Sequence, residues 1–401
     1  MGYRFPMPAA RRTENRSGEF RVVESGPDGY SAFHPAPLPP DPAVDIDPEL
    51  QVLVDQANQA LGRLDGITLL LPDPDQFLYT YVRKEAVLSS QIEGTQSSLS
   101  DLLLFEADAA PGVPVSDARE TSNYIEAMNH GVEKIRSGEL PLSNRLMREM
   151  HAVLLRSGRG SERSPGRFRR EQNWIGGNRP AVARYVPPPW QEVEPAMAQL
   201  EKFLHDDPKR TPILVKVALA HAQFETIHPF LDGNGRVGRL LITLLLVAEE
   251  VLRRPLLYLS LYLKQNRDDY YDHLQRIRTE GAWEAWLRFF LEGVIEVAES
   301  TTATTRDLVH MIERDRQAIH EFGRGAATAL RVHDLASRFV VLRPADAAGV
   351  LGLSAPPVYG AVRRLEEAGI LREVTGRQRG KLYVYDEYLA RLNEGTTEPA
   401  S

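Results

Sequence analysis

The chain contains no cysteine in 401 residues. That one absence removes disulfides, thiolate catalysis and cysteine-ligated zinc together. No charge-free apolar run reaches the roughly 18 residues a membrane-spanning helix needs, so no membrane association is expected. The N-terminus, with Arg4, Pro6, Arg11 and Arg12, lacks the apolar centre of a signal peptide, and a cytoplasmic location is the expectation. Nor is there an excess of positive charge: the net charge is −7, so any nucleic-acid contact must be local. No sustained alternation of apolar and polar residues suggests a substantial sheet, and the body reads as mainly α. A hydrophobic content of 42% with 26% charged residues is ordinary for a soluble protein, and the length suits two or three domains.

What is present is concentrated in residues 228 to 239, where a base, an acid, a glycine-rich turn and two cations open a helix. The stretch Val237 to Leu252 leaves almost no polar face and predicts a buried central helix. Its first turn nevertheless carries Arg236 and Arg239. A helix start already holds partial positive charge, so cations there are disfavoured by up to about 1 kcal/mol unless an anion sits among them. The amides of Gly233, Asn234, Gly235 and Arg236, with the two guanidiniums, would make a cradle for a di- or triphosphate. Asp232 is a hard oxygen ligand able to hold Mg2+ against such phosphates, and His228 could take a proton from an incoming hydroxyl.

The segment matches the pattern HPFx(D/E)GNGRxxR at every defined position and resembles the Fic family. The resemblance implies transfer of AMP from ATP onto a Tyr, Ser or Thr hydroxyl of a target protein. His228 would be the base, Asp232 the Mg2+ ligand, and Gly233, Asn234, Gly235, Arg236 and Arg239 the phosphate grip. The Doc branch typically has Lys where this chain has Gly235, which favours nucleotidyl transfer over phosphorylation. Some family members remove AMP instead, and the motif does not separate the two.

Upstream, Tyr81 to Gly94 reads as a helix with Ser89, Ser90 and Glu93 in its last turns and Gly94 as its stop. Glu93 would sit at the negative end of that helix, where a carboxylate is disfavoured. Two locally misplaced charges, Glu93 and Arg239, could satisfy each other. Ser89 to Gly94 matches the family's inhibitory motif (S/T)xxxE(G/N), placed before the catalytic domain as in class II members. There the resemblance implies a glutamate that pairs with the second motif arginine and obstructs the γ-phosphate.

Phe168 to Pro189 holds two short extended runs around a glycine-containing turn, a predicted β-hairpin. In Fic proteins such a flap aligns the target by strand addition; here Trp174, Ile175, Tyr185 and Val186 would form it. His221, Glu225 and His228, at spacings of four and three, offer a zinc-binding alternative on one helix face.

Along the chain, residues 1 to 45 read as an extended arm with little regular structure, given Pro35, Pro37, Pro39, Pro40 and Pro42. Residues 46 to 114 form an N-terminal helical region ending in a linker over Ala109 to Pro114. The catalytic domain spans 115 to 300, with helices from Ser143 to Leu155, after Thr211, from Lys264 to Thr279 and from Trp283 to Ala298. A linker helix fills 301 to 325, and 393 to 401 are a tail. Residues 326 to 392 carry three helical segments, two extended runs and a turn at Gly376 to Gly380, which resembles a winged helix as it occurs behind Fic domains. Ser354 is the predicted N-cap of its third helix. Arg363, Arg364, Arg377, Arg379 and Lys381 could touch phosphates. Against this, Ala355, Pro356, Pro357 and Val358 are poor readers of base edges. Protein docking or homodimerisation therefore weighs more than DNA contact. The expected fold is a Fic-type helical domain with a small β-hairpin flap and a C-terminal winged helix. The rival function is a nucleotide-sensing, winged-helix DNA-binding regulator.

Overall fold

A computed structural model describes residues 15–26, 29–69, 74–107, 115–205 and 211–394. The expected linker over Ala109 to Pro114 and most of the tail after 392 lie outside these residues. Where an unstructured arm was expected, β1 (Gly18–Glu24) pairs antiparallel with β2 (Tyr30–Pro35). Prolines around the pair hide it in the sequence, but β-branched and aromatic residues make up much of both strands, and Gly29 N–H donates to Gly26 O at 2.9 Å. Ala32 and Phe33 of β2 are buried, and Phe33 N–H donates to Val186 O.

The body is helical. Asp47 caps α1 (Pro48–Thr68) by accepting from Leu50 N–H at 2.8 Å, and Pro48 suits the first turn. α2 (Pro74–Ile92) begins seven residues before the expected Tyr81. Ser98 and Asp101 form a capping box on α3 (Leu99–Glu106). α4 (Val115–Arg136) follows, then α5 (Asn144–Leu154), which Ser143 caps as expected, and α6 (Trp190–Leu204). α7 (Ile213–Ile227) leads into α8 (Asn234–Ala248), in which every residue from Arg236 to Val247 is buried. α8 lies against α2, α4, α5 and α7. The apolar stretch that predicted a helix to Leu252 therefore ends in a turn after Ala248, where Glu250 adopts positive φ.

The segment read as one helix from Lys264 is split into α9 (Ser260–Gln265) and α10 (Arg267–Glu280) at Asn266. Conversely, the helix from Trp283 does not stop at Ala298. α11 (Trp283–His320) runs 38 residues and absorbs the expected linker helix, because Thr301, Thr302, Thr305, Leu308 and Met311 continue its buried face. α11 packs along α1.

The C-terminal unit comprises α12 (Ala326–Phe339), β3 (Val341–Leu342), α13 (Pro344–Leu351), α14 (Ala355–Glu367), β4 (Leu371–Glu373), β5 (Tyr383–Tyr385) and α15 (Asp386–Asn393). Its sheet is antiparallel in the order β3-β5-β4. Ser354 holds the N-cap position of α14, but its side chain makes no capping bond. Among the described residues no helix is long and apolar enough to cross a membrane.

Candidate functional site

The end of α7 and the start of α8 create the site. His228 stops α7 in the left-handed region at φ 50°, and Pro229 then forbids further helix. Gly233, at φ 76°, occupies the N-cap of α8 and offers no side chain to the free amides behind it. Asp232 Oδ1 accepts from Gly233 N–H at 2.6 Å. The Asn234 side chain closes the loop on itself: its Oδ1 accepts from Phe230 N–H and its Nδ2 donates to Phe230 O, each at 2.8 Å. Asn234 thus has its amide committed to bracing the turn, leaving the backbone to face an anion.

The two arginines have found carboxylates. Arg239 Nη2 donates to Glu93 Oε1 at 2.7 Å, Nε to Ser89 Oγ at 2.8 Å, and Nη2 also to Ser89 O at 3.0 Å. The helix-end carboxylate and the helix-start guanidinium, each misplaced in its own helix, meet as their sequence positions suggested. Burial works against Glu93 ionisation, but Arg239 outweighs it and holds the carboxyl below its ordinary range. The Arg239 pKa is raised in return. Gly235 is required by this contact, since a Cβ there would stand 2.2 Å from Glu93 Oε1. Arg236 lies 3.4 Å from both Glu120 Oε2 and Asp232 Oδ1, longer contacts, and its buried Nε has no partner.

Burial, with Arg169 and Arg278 nearby, pushes the His228 imidazole down to about 3, so it is neutral across the physiological range. Its Nδ1 has no hydrogen-bond partner among the described residues, and Glu225 Oε2 is 4.0 Å away. The zinc alternative fails on His221. That ring's Nδ1 meets Gly238 O and its Nε2 meets Tyr270 OH, both at 2.9 Å, so it is a buried packing residue with no nitrogen to spare. Among the described residues no group of three acidic or histidine side chains is gathered for a metal.

The expected hairpin flap reduces to one antiparallel bridge. Ile175 and Tyr185 exchange backbone bonds at 2.8 and 3.1 Å, and a short 3-10 turn at Pro180–Val182 lies between them. Gly176 and Gly177 at positive φ, and the prolines at 187 to 189, prevent longer pairing. The bridge still overhangs the site. Trp174, Ile175 and Tyr185 line a cleft of about 500 Å³ together with Glu93, His228, Gly235 and Arg239. Tyr185 and Val186 are buried anchors, Tyr185 OH donating to Thr226 O at 2.6 Å, while Trp174 is exposed.

Several supporting residues lay outside the sequence reading. Buried Arg169 donates from Nε to His228 O at 3.0 Å and from Nη2 to Pro188 O, tying His228 to the segment that follows the Ile175–Tyr185 bridge. His151 stacks on Phe230 at 3.7 Å and meets Asp232 O through Nε2 at 3.0 Å. Arg278 lies over the Tyr185 ring at 3.8 Å and donates to Glu225 O. These groups come from α5, α10 and the loop after α5, far from the motif in sequence, and no local signal marks them.

Beneath Arg239, Glu85 accepts from Tyr124 OH and from Ser260. Burial pushes it up to about 7. Between its ordinary value of 4.5 and about 7 the folded chain therefore holds a proton that the unfolded chain has lost, so this group's contribution to stability falls as pH rises through that window. Glu85→Gln is expected to flatten part of the fall in Tm between pH 5 and pH 8, measured by thermal denaturation. An unchanged slope would refute the assignment.

A helical body with a neutral histidine set beside an uncapped helix start is an arrangement able to accept a proton next to a bound anion. Residues 52–133 match the Fic/DOC family N-terminal model and residues 141–246 the Fic/DOC family model. These two stretches, 188 of the 401 residues together, are what the chain shares with the Fic/DOC family. It is 32% identical over 148 residues to protein adenylyltransferase Fic of Drosophila ananassae, covering 37% of this chain and 27% of that protein. To protein adenylyltransferase Fic of Aedes aegypti it is 27% identical over 262 residues, covering 65% and 49%. The chain thus spans between about a quarter and a half of these relatives' length. The crystal structure of a Fic family protein from Desulfovibrio desulfuricans G20 shares the fold, with a TM-score of 0.55 at 21% identity over 85% of this chain and 97% of that one.

Proposed function

We propose that the chain is a protein adenylyltransferase that moves AMP from ATP to a Tyr, Ser or Thr hydroxyl of a target protein and is held in check by Glu93. The observation that carries this reading is the 2.7 Å contact of Glu93 with Arg239, beside neutral His228 and the uncapped start of α8. In the proposed step the target hydroxyl oxygen bonds to the α-phosphorus of ATP, the bond to the bridging oxygen breaks, and pyrophosphate leaves. The hydroxyl proton passes to a ring nitrogen of His228. With the backbone of Gly233, Asn234 and Gly235 around them, Arg236 and Arg239 would hold the polyphosphate, whose negative charge also favours the imidazolium that forms.

Mg2+ would neutralise phosphate charge. Asp232 would hold it; a single partly exposed carboxylate fits an ion that normally completes its shell with phosphate oxygens and water. The bridge at Ile175 and Tyr185 would align the target backbone. The same reading puts the protein in the cytoplasm, where ATP is supplied, with its catalytic body over 115 to 300.

Residues 326 to 392 are read as a winged helix. The order of α12, β3, α13, α14, β4 and β5 supports this. Protein docking or homodimerisation suits it better than DNA. Arg364 is tied to the Phe322 and Arg324 carbonyls, and the first turn of α14 exposes alanine and two prolines. The regulator reading would gain from salt-dependent retardation of duplex DNA, and removal of AMP from a labelled target would reverse the assigned direction. Mass spectrometry tests the main reading. Incubation with ATP and Mg2+ should add an AMP-sized mass to a hydroxyl residue of the protein or a target. Its absence in both the wild type and a Glu93→Gly variant would overturn the proposal.

A further inference from the structure

α2 has two polar faces. Glu85 and Ser89 look into the body toward Ser260 and Arg239, while Lys84 and Gln91, seven residues apart on another side, line a separate cavity of about 480 Å³. Residues after α2, the start of α3, Lys264 of α9 and the end of α15 complete its walls. Three polar groups there are under-satisfied. Lys84 is 2% exposed, yet among the described residues its Nζ makes one long bond, 3.5 Å to Glu394 O, beside a contact with the Tyr258 ring at 4.4 Å and the more distant charge of Glu394. Gln91 Oε1 and Thr95 Oγ1 are buried with no partner among the described residues. Buried polar atoms are rarely left unpaired, and a buried ammonium costs more than a neutral group when underpaired.

We infer that this cavity is a binding site for a small hydroxylated anion, a phosphate ester or a hydroxycarboxylate. The anionic head would meet Lys84, and hydroxyls would donate to Gln91 Oε1 and bond Thr95 Oγ1. Gln91 Oε1 needs a donor, which a hydroxyl of such a ligand supplies, whereas the dianionic head of a phosphate ester accepts only. Burial pushes the Lys84 ammonium down to about 8, which a bound anion would reverse. Gln91 stands two residues before Glu93. On the inhibitory reading proposed above, a ligand here fastens the last turn of α2 and keeps Glu93 on Arg239.

Isothermal calorimetry on the full chain tests the site without reference to catalysis, with ribose 5-phosphate and citrate as the two anionic probes and ribose as the neutral one. Binding of at least one anion and not of ribose is expected, and which anion binds separates the ester from the carboxylate source. Lys84→Met should weaken that binding about tenfold or more, the loss of a charge-assisted hydrogen bond. Arg239→Ala, at the other face of α2, removes only the part of binding coupled to Glu93 and should weaken it less than Lys84→Met does. Gln91→Leu gives an independent loss should Lys84→Met fail to fold. No heat from either anion, or heat lost in Arg239→Ala and kept in Lys84→Met, overturns the site. If the bound probe leaves AMP labelling by the wild type unchanged, the coupling to Glu93 falls while the site stands.

Discussion

Glu93→Gly is expected to raise ATP-dependent labelling, of the protein itself or of a target, on the order of a hundredfold over the wild type. Glu93 is held by a nearly buried guanidinium at 2.7 Å, its own side chain 29% exposed. Separating such a pair costs about 3 to 5 kcal/mol when it is fully buried, and somewhat less here because solvent reaches the carboxylate. At 1.4 kcal/mol per decade, about 3 kcal/mol corresponds to a hundredfold. The substitution also clears the space that Glu93 Oε1 occupies against Gly235. Ser89 remains bonded to Arg239 in the variant, so the guanidinium should keep its place. Labelling measured with a radiolabelled nucleotide in both proteins decides the matter, and equal rates would remove the inhibitory role of Glu93.

The second large effect is its complement. In the Glu93→Gly background, His228→Ala should cut labelling by a factor on the order of 10² to 10⁴, the range usual for a general base. ATP binding measured by calorimetry should persist, because the phosphate grip is assigned to Arg236, Arg239 and the start of α8. With His228 pushed down to about 3, the Glu93→Gly variant should show no inflection near pH 6.5 attributable to this imidazole. Residual labelling within a few-fold of the parent would transfer the proton-accepting role elsewhere.

The candidate site is legible in the sequence because its residues are contiguous. One turn, from His228 to Arg239, places base, acid, amides and cations without help from distant chain, and the charge conflicts at Glu93 and Arg239 announced a partnership between two helix ends. What positions them was not legible. Glu120 reaches Arg236 from α4, His151 reaches Asp232 from α5, and Arg169 braces His228 from a loop. Each contact exists only once the helices have packed. The same holds for the fold. Helix interiors followed from periodicity and caps such as Ser143, whereas the ends of α8 and α11 depended on tertiary burial that periodicity does not encode. The β1–β2 pair was masked by its prolines, and the flap's strands were overestimated because prolines and glycines there limit pairing to a single bridge.

α11 runs from the body to the C-terminal unit, and only residues 321 to 325 separate its end from α12. At 1.5 Å per residue, its 38 residues span about 57 Å as a single lever arm. A swivelling tether would let a captured partner sample many distances from the cleft. A stiff strut bedded along α1 acts instead as a ruler, so a partner held at the far end would present only those hydroxyls that lie at the matching reach.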